Sequence, residues 1–318
     1  MKKDKHIAFC VDNAYAEYLS VTIKSIIYNN SRHNITFHII SDYISKKQAC
    51  RLKELVYGLE KFDLLFHFID DTSLKGLKIM REWPIQAWYR LLLPDVLGKE
   101  ISKILYLDAD TLVEADLNEL FDWDLSGKSI AAVVAPSNFN PKHYKRLGYD
   151  CKKQYICSGV ILMNLDYWRA HNLTTKIVSW ANENMDKLVF PDQDAINVVC
   201  QDTKILLPLK YGFVQGFLYE ERFFDFPFFT QLKDAVYNPA VIHYAFCAPW
   251  YRDTQRHIMH DKWQKYNEML EYPIKCRYKA KGLLKIKQII WNILNPAPRP
   301  FFSINEIQKR IYGKLVCF

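Results

Sequence analysis

Apolar residues in the first third of the chain switch repeatedly between two patterns. Ile7–Val11 is a short continuous apolar run, and Tyr15–Asn30 then carries Leu19, Ile23, Ile26 and Ile27 at helical spacing. Ile35–Ile40 is β-branched and apolar. Ser45 stands where it can cap a helix bearing Ala49, Leu52, Leu55, Val56 and Leu59 on one face. Phe62–Ile69 and Ile104–Leu107 read as third and fourth strands, followed by Ile130–Val134, Gly159–Leu165 and a short late strand at Val241–Tyr244. A further helix is expected from about Asp192. Strands alternating with helices of this length predict an α/β fold of right-handed βαβ units on a mostly parallel sheet. Ligands of such sheets bind beyond the carboxyl ends of the strands, so the residues there are the ones to read for chemistry.

Composition narrows the class. Half of the 318 residues are hydrophobic, enough to bury a sizeable core and exclude a disordered chain. No apolar run approaches the ~18–20 residues needed to cross a bilayer. Met1–Lys5 leads straight into the first strand, so a cytosolic protein, soluble or held peripherally on a membrane, is expected. The eight cysteines are scattered with no Cys-x-x-Cys pair, which argues against a zinc framework or disulfide scaffold.

Charge is divided unevenly. Ten of 43 basic residues and one of 35 acidic residues fall in 272–318, leaving 33 and 34 in 1–271. The expected organisation is a single catalytic domain, 1–271, with a basic C-terminal helical tail, 272–318. In the tail Leu283, Ile286, Ile290 and Ile293 recur at helical spacing beside Trp291, Lys281, Lys285 and Lys287. An amphipathic helix of this kind can lie on an anionic membrane surface, here through 275–318, or pack on the domain with a solvated basic face, and the coincidence of charge and apolar stripe favours the membrane. Nucleic acid is not an expected partner, since the basic residues are confined to the tail.

Ile104-Leu105-Tyr106-Leu107-Asp108-Ala109-Asp110 runs an apolar strand into two carboxylates spaced i, i+2. That spacing puts both on one face, where they can meet a hard divalent cation such as Mn²⁺ or Mg²⁺; an ordinary turn after a strand gives the same pair. The first strand ends in Asp12-Asn13-Ala14-Tyr15, a carboxylate and an aromatic that suit a nucleobase or simply cap the next helix. Arg90 lies inside the aromatic stretch Trp88–Leu91, either snorkelling or reaching an anion. Asp192-Gln193-Asp194 opens a helix, where acids suit the dipole regardless of role. His243 ends Val241–His243 as a core histidine or a third metal ligand.

In combination, Phe9–Leu19, Tyr89–Leu91, Leu105–Asp110, Ser158–Leu165, Asp192–Asp194 and His243-Tyr244 resemble glycosyltransferase family 8, especially bacterial enzymes that extend lipopolysaccharide or related surface glycans. The resemblance spans about residues 7–250. It implies a Rossmann-like nucleotide-sugar-binding fold of GT-A type and transfer of a hexose, glucose or galactose, from a UDP-sugar with retention at the anomeric carbon. Carried over by position, Asp108, Asp110 and His243 would hold Mn²⁺ against the diphosphate. Tyr15 would stack on uracil and Asp12 hydrogen-bond it, Arg90 and Asp192 would contact the donor sugar, and Gln193 would lie beneath the anomeric carbon. Phe9, Cys10, Ala109 and Ser158 complete the implied donor-binding set.

Three positions depart from the family pattern. Cys157 replaces the usual Asn before the Ser-Gly pair, and Ala14 replaces a frequent polar residue. Ala245-Phe246-Cys247-Ala248-Pro249-Trp250 keeps Pro-Trp but loses the glycine and lysine expected after the histidine and is about one residue short. Arg252 is the candidate replacement for that lysine. The acceptor is expected to be a glycan or glycolipid, met by loops such as Pro136–Asp150 and Leu218–Phe229. Two rival readings follow from the departures and from the Asp-x-Asp pair: a UDP-sugar-binding protein without catalysis, and an inverting transferase or nucleotidyltransferase of the same fold.

Overall fold

The computed structural model describes residues 5–74, 76–77, 84–251 and 257–277. The basic tail beyond Arg277 and the candidate Arg252 lie outside the described residues.

Strands β1 (Lys5–Cys10), β2 (Ile35–Ser41), β3 (Phe62–Phe68) and β4 (Lys103–Leu107) pair in parallel in the order β3-β2-β1-β4. Consecutive residues of these strands point to opposite faces: Ile7, Phe9, Leu105 and Leu107 enter one core, Ala8, Ile104 and Tyr106 the other. Burial on both faces is the reason β1, β2 and β4 read as apolar runs, whereas in the edge strand β3 only Leu64 is buried. Helix α1 (Ala16–Asn29) connects β1 to β2 with Leu19, Ile23 and Ile26 fully buried. Helix α2 (Lys46–Glu54) is capped by Ser45, whose Oγ accepts the Gln48 N–H.

Beyond β4 the sheet is mixed. β5 (Thr111–Val113) leaves it, β6 (Ile130–Val134) rejoins it, and β7 (Ile156–Asn164) lies between β4 and β6, antiparallel to both. β8 (Lys204–Leu206) closes the edge, parallel to β6. A small second sheet pairs β10 (Val241–His243) antiparallel with β5 and parallel with β9 (Phe213–Val214). The short β5, β8 and β9 were not expected from the sequence, because two or three residues carry no readable period. The antiparallel course of β7 was not expected either, since pairing direction is set by the connections around a strand.

Packing against the body runs through Arg277. Ile274 is buried and exchanges hydrogen bonds with the Asn267 side chain, and the Arg277 N–H donates to the Trp250 carbonyl at 3.0 Å. Among the described residues, no helix is long and apolar enough to cross a membrane.

Candidate active site

β1 and β4 are parallel neighbours, so the turns after their carboxyl ends open side by side where the chain reverses direction across the sheet. The first turn carries Asp12 and Tyr15, the second Asp108–Asp110. α1 joins them from beneath: the buried Thr22 hydroxyl lies 3.0 Å from the Ala109 carbonyl and 2.7 Å from that of Thr111, which fixes the second turn. Thr111 also donates its N–H and its hydroxyl to the Asp108 carbonyl.

His243 arrives from the second sheet. Its register opposite Thr111 places the imidazole over the turn, and the Tyr244 N–H donates to the Asp110 carbonyl. His243 Nε2 lies 3.2 Å from Asp110 Oδ1 and 3.6 Å from Asp108 Oδ2, and one donor atom from each of the three residues falls within 4.8 Å of the others. Two carboxylates and an imidazole at that separation form a donor set that fits a divalent cation. Burial opposes charge on both partners, and their mutual attraction outweighs it: the Asp110 carboxyl is held below its ordinary range and the His243 imidazole well above its own. Gly159 makes room for this group. A Cβ there would stand 2.1 Å from His243 Cε1 and 2.7 Å from Asp108 Oδ2. His243 Nδ1 faces the Cys157 sulfur at 3.7 Å.

Next to these three lies a buried polar cluster. Arg90, only 4% exposed, pairs with Asp108 at 3.1 Å and Asp192 at 3.4 Å, donates to the Ala87 and Ser158 carbonyls, and packs over the Tyr106 ring. Burial works against its charge and the two carboxylates more than restore it. Burial pushes the Asp192 carboxyl above its ordinary range against the pull of Arg90. Tyr106, on the same strand face two residues before Asp108, donates to Asp108 Oδ1 at 2.6 Å. Ser158 ties the cluster to the helix Pro191–Val199: its hydroxyl donates to Asp192 Oδ2 and its N–H to Gln193 Oε1, both at 3.0 Å.

Tyr15 stands at the other side, 42% exposed and edge-on to both Tyr18 and Trp250, which stack on each other at 3.9 Å. The retained Pro-Trp pair thus builds the support for Tyr15. Asp12 Oδ1 accepts the Tyr15 N–H at 2.7 Å. The Phe9 ring is fully buried, so a ligand can meet only its main chain, and the Cys10 thiol is pushed up by burial into its neutral form. The glycine expected after His243 is missing, and the turn there instead holds Phe246 in the left-handed region that favours glycine, with φ of 65° and a ring 77% exposed.

Sequence reading missed Tyr106, Thr22, Tyr155 and the Asp194–Arg146 pair. Tyr106 had a signal in its i, i+2 spacing to Asp108. The others act across 39 to 89 positions in sequence, which no local pattern reveals. Loops 136–150 and 218–229 pack on each other, with Phe139 edge-on to Phe223 and Phe228 and beneath Arg222.

Residues 6–254 match the sequence pattern of Glycosyl transferase family 8. The chain belongs to this family. The expected hexosyltransferase class stands with it. A lipopolysaccharide 1,2-glucosyltransferase of Escherichia coli is 30% identical over 77% of this chain and 73% of its own. The general stress protein A of Bacillus subtilis is 28% identical over 83% and 96%. The galactosyltransferase LgtC, crystallised with donor and acceptor sugar analogues, superposes with a TM-score of 0.75 at 24% identity, over 84% of this chain and 96% of its own. The likeness confirms the expected GT-A architecture.

Proposed function

We propose that this family 8 enzyme transfers a glucose or galactose residue from a UDP-sugar to a cell-surface glycan such as lipopolysaccharide core, with retention and with a divalent cation, Mn²⁺ or Mg²⁺, at the cytosolic face of the membrane. The observation that carries the reading is the convergence of Asp108, Asp110 and His243 from two sheets beside the Arg90–Asp192–Ser158–Gln193 cluster. The lipopolysaccharide glycosyltransferases among its relatives support the acceptor class.

Asp108, Asp110 and His243 would hold the cation, which when bound neutralises charge on the departing diphosphate. Asp12 and Tyr15 bind the base. Arg90 and Asp192 orient the donor sugar from a buried, mutually paired arrangement, so their geometry is set before the ligand arrives. The carboxylates flanking Gln193 are both engaged: Asp192 by Arg90 and Ser158, Asp194 by Arg146 and Tyr155. Double displacement requires a nucleophile free to reach the anomeric carbon. Their engagement favours a front-face route, in which the acceptor hydroxyl attacks from the side UDP leaves and the Gln193 amide stabilises positive charge on the sugar.

The test is UDP release from UDP-glucose, UDP-galactose and UDP-N-acetylglucosamine, with Mn²⁺ or with chelator. Release from one hexose donor that chelator abolishes is expected, and Asp110→Asn should lower it by about 100-fold or more. UDP binding without release, even with an acceptor glycan, would favour the non-catalytic reading. Inverted product would favour the inverting one.

A further inference from the structure

We infer that Tyr155, backed by Asp194, is a positioning residue that fixes which end of the Gln193 amide faces the donor sugar; this rests on the reading of Gln193 above. The direction of every hydrogen bond in the chain follows from one unambiguous donor. The Ser158 main-chain N–H can only donate, so the Gln193 atom 3.0 Å from it is the oxygen. The amide nitrogen therefore faces Tyr155, whose hydroxyl oxygen accepts from it at 3.1 Å. The phenolic hydrogen is left for Asp194 Oδ1, 2.6 Å away. Burial and the Asp194 charge hold the phenol protonated, so it remains a donor there.

Asp194 is itself immobilised. It is fully buried, clasped through both oxygens by Arg146 at 2.8 and 3.1 Å, and its Oδ2 accepts the Val189 and Phe190 N–H groups. Tyr155 is fully buried as well. The relay thus runs from a fixed carboxylate through a fixed phenol to an amide whose oxygen lies on the side of Ser158, Asp192 and Arg90.

That orientation matters for the chemistry. An amide oxygen carries partial negative charge and stabilises a carbon becoming positive, whereas an amide NH₂ in its place would repel it. Ser158 disfavours the flipped amide, and Tyr155 anchors the nitrogen end so that the group cannot swing out of the plane the sugar needs. Asp194, third in Asp192-Gln193-Asp194, thereby acts without touching the sugar.

The test compares wild type, Tyr155→Phe, Gln193→Ala and the double variant. In Tyr155→Phe, kcat for UDP release should fall about tenfold, the loss of one positioning hydrogen bond felt in the transition state, with KM for the UDP-hexose within about twofold. In the Gln193→Ala background Tyr155→Phe should change kcat no further, because the tyrosine then has nothing to orient. A second readout needs no turnover. With glutamine ¹⁵N labelling, the Gln193 side-chain NH₂ pair, assigned by its absence in Gln193→Ala, should exchange slowly with water in wild type and markedly faster in Tyr155→Phe. Unchanged kcat in Tyr155→Phe, an equal loss in the Gln193→Ala background, or unchanged exchange of the NH₂ pair would each overturn the inference. A wild type that releases no UDP overturns the catalytic reading instead, and the exchange measurement still decides whether Tyr155 holds the amide.

Discussion

At the scale of single residues, Phe246 shows the backbone being kept while the side chain changes. A bulky residue in the left-handed region costs about 1–2 kcal/mol, and this one also exposes most of its ring. On the proposed reading the turn after His243 meets the donor diphosphate, and its left-handed backbone would offer the Phe246 N–H to it. Phe246→Gly should therefore leave UDP affinity within about twofold and stability unchanged or higher by up to about 1 kcal/mol, since strain relief is offset by the entropy of an added glycine. Phe246→Pro removes the N–H and forces φ near −65°, and should weaken UDP binding at least about tenfold. Calorimetric titration with UDP and Mn²⁺ measures both variants. Equal affinities for them would mean that the diphosphate does not read this backbone.

At the scale of elements, the first three strands carry a diagonal row of histidines on one sheet face. His6 Nδ1 meets His38 Nε2 at 3.0 Å, and His38 Nδ1 meets His67 Nε2 at 2.9 Å. His38 is 2% exposed, and its pKa falls from 6.5 to about 3, chiefly through burial and then through the neighbouring rings. The folded state therefore binds fewer protons than the unfolded chain between about pH 6.5 and pH 3. The stability that neutral His38 contributes is complete above pH 6.5 and is lost progressively as pH falls through that window, about 2 kcal/mol of it between pH 7 and pH 5. His38→Gln keeps a donor and an acceptor without a titrating group. Urea unfolding at the two pH values should show a smaller drop for this variant than for wild type, and identical drops would remove His38 as the cause.

At the scale of the whole molecule, where the body ends decides how the tail can be tested. Arg277 lies over the Tyr18 ring and pairs with Glu17, and Cys276 approaches the Pro249 carbonyl. These contacts brace the Tyr18–Trp250 stack on which Tyr15 rests. Removing residues 275–318 would therefore disturb the support of Tyr15, the proposed base-binding residue, as well as the tail. A chain ending at Arg277 should keep the melting temperature and UDP affinity of the full protein while losing co-sedimentation with anionic vesicles, and a chain ending at Ile274 should melt lower and bind UDP more weakly. Retained vesicle binding by the chain ending at Arg277 would remove the tail as the membrane contact.

Much of this protein follows from its sequence, for reasons of period and spacing. The strands at 7–11, 35–40 and 104–107 were legible because burial on both faces makes them continuously apolar, the edge strand at 62–69 by its apolar and aromatic side chains although only Leu64 is buried, and α1 because its buried side recurs every three to four residues. Asp108 and Asp110 announced themselves by following a strand, and the order of motifs from Phe9 to His243 carried the family. What the sequence could not supply is whatever depends on two distant segments meeting. The antiparallel β7 brings Ser158 to Gln193, β5 pairing with β10 sets His243 over Asp110, and the fold carries Tyr155 and Arg146 to Asp194. A local pattern records which face a residue occupies. It does not record which group stands opposite across the gap, and at this site that is what determines each pairing.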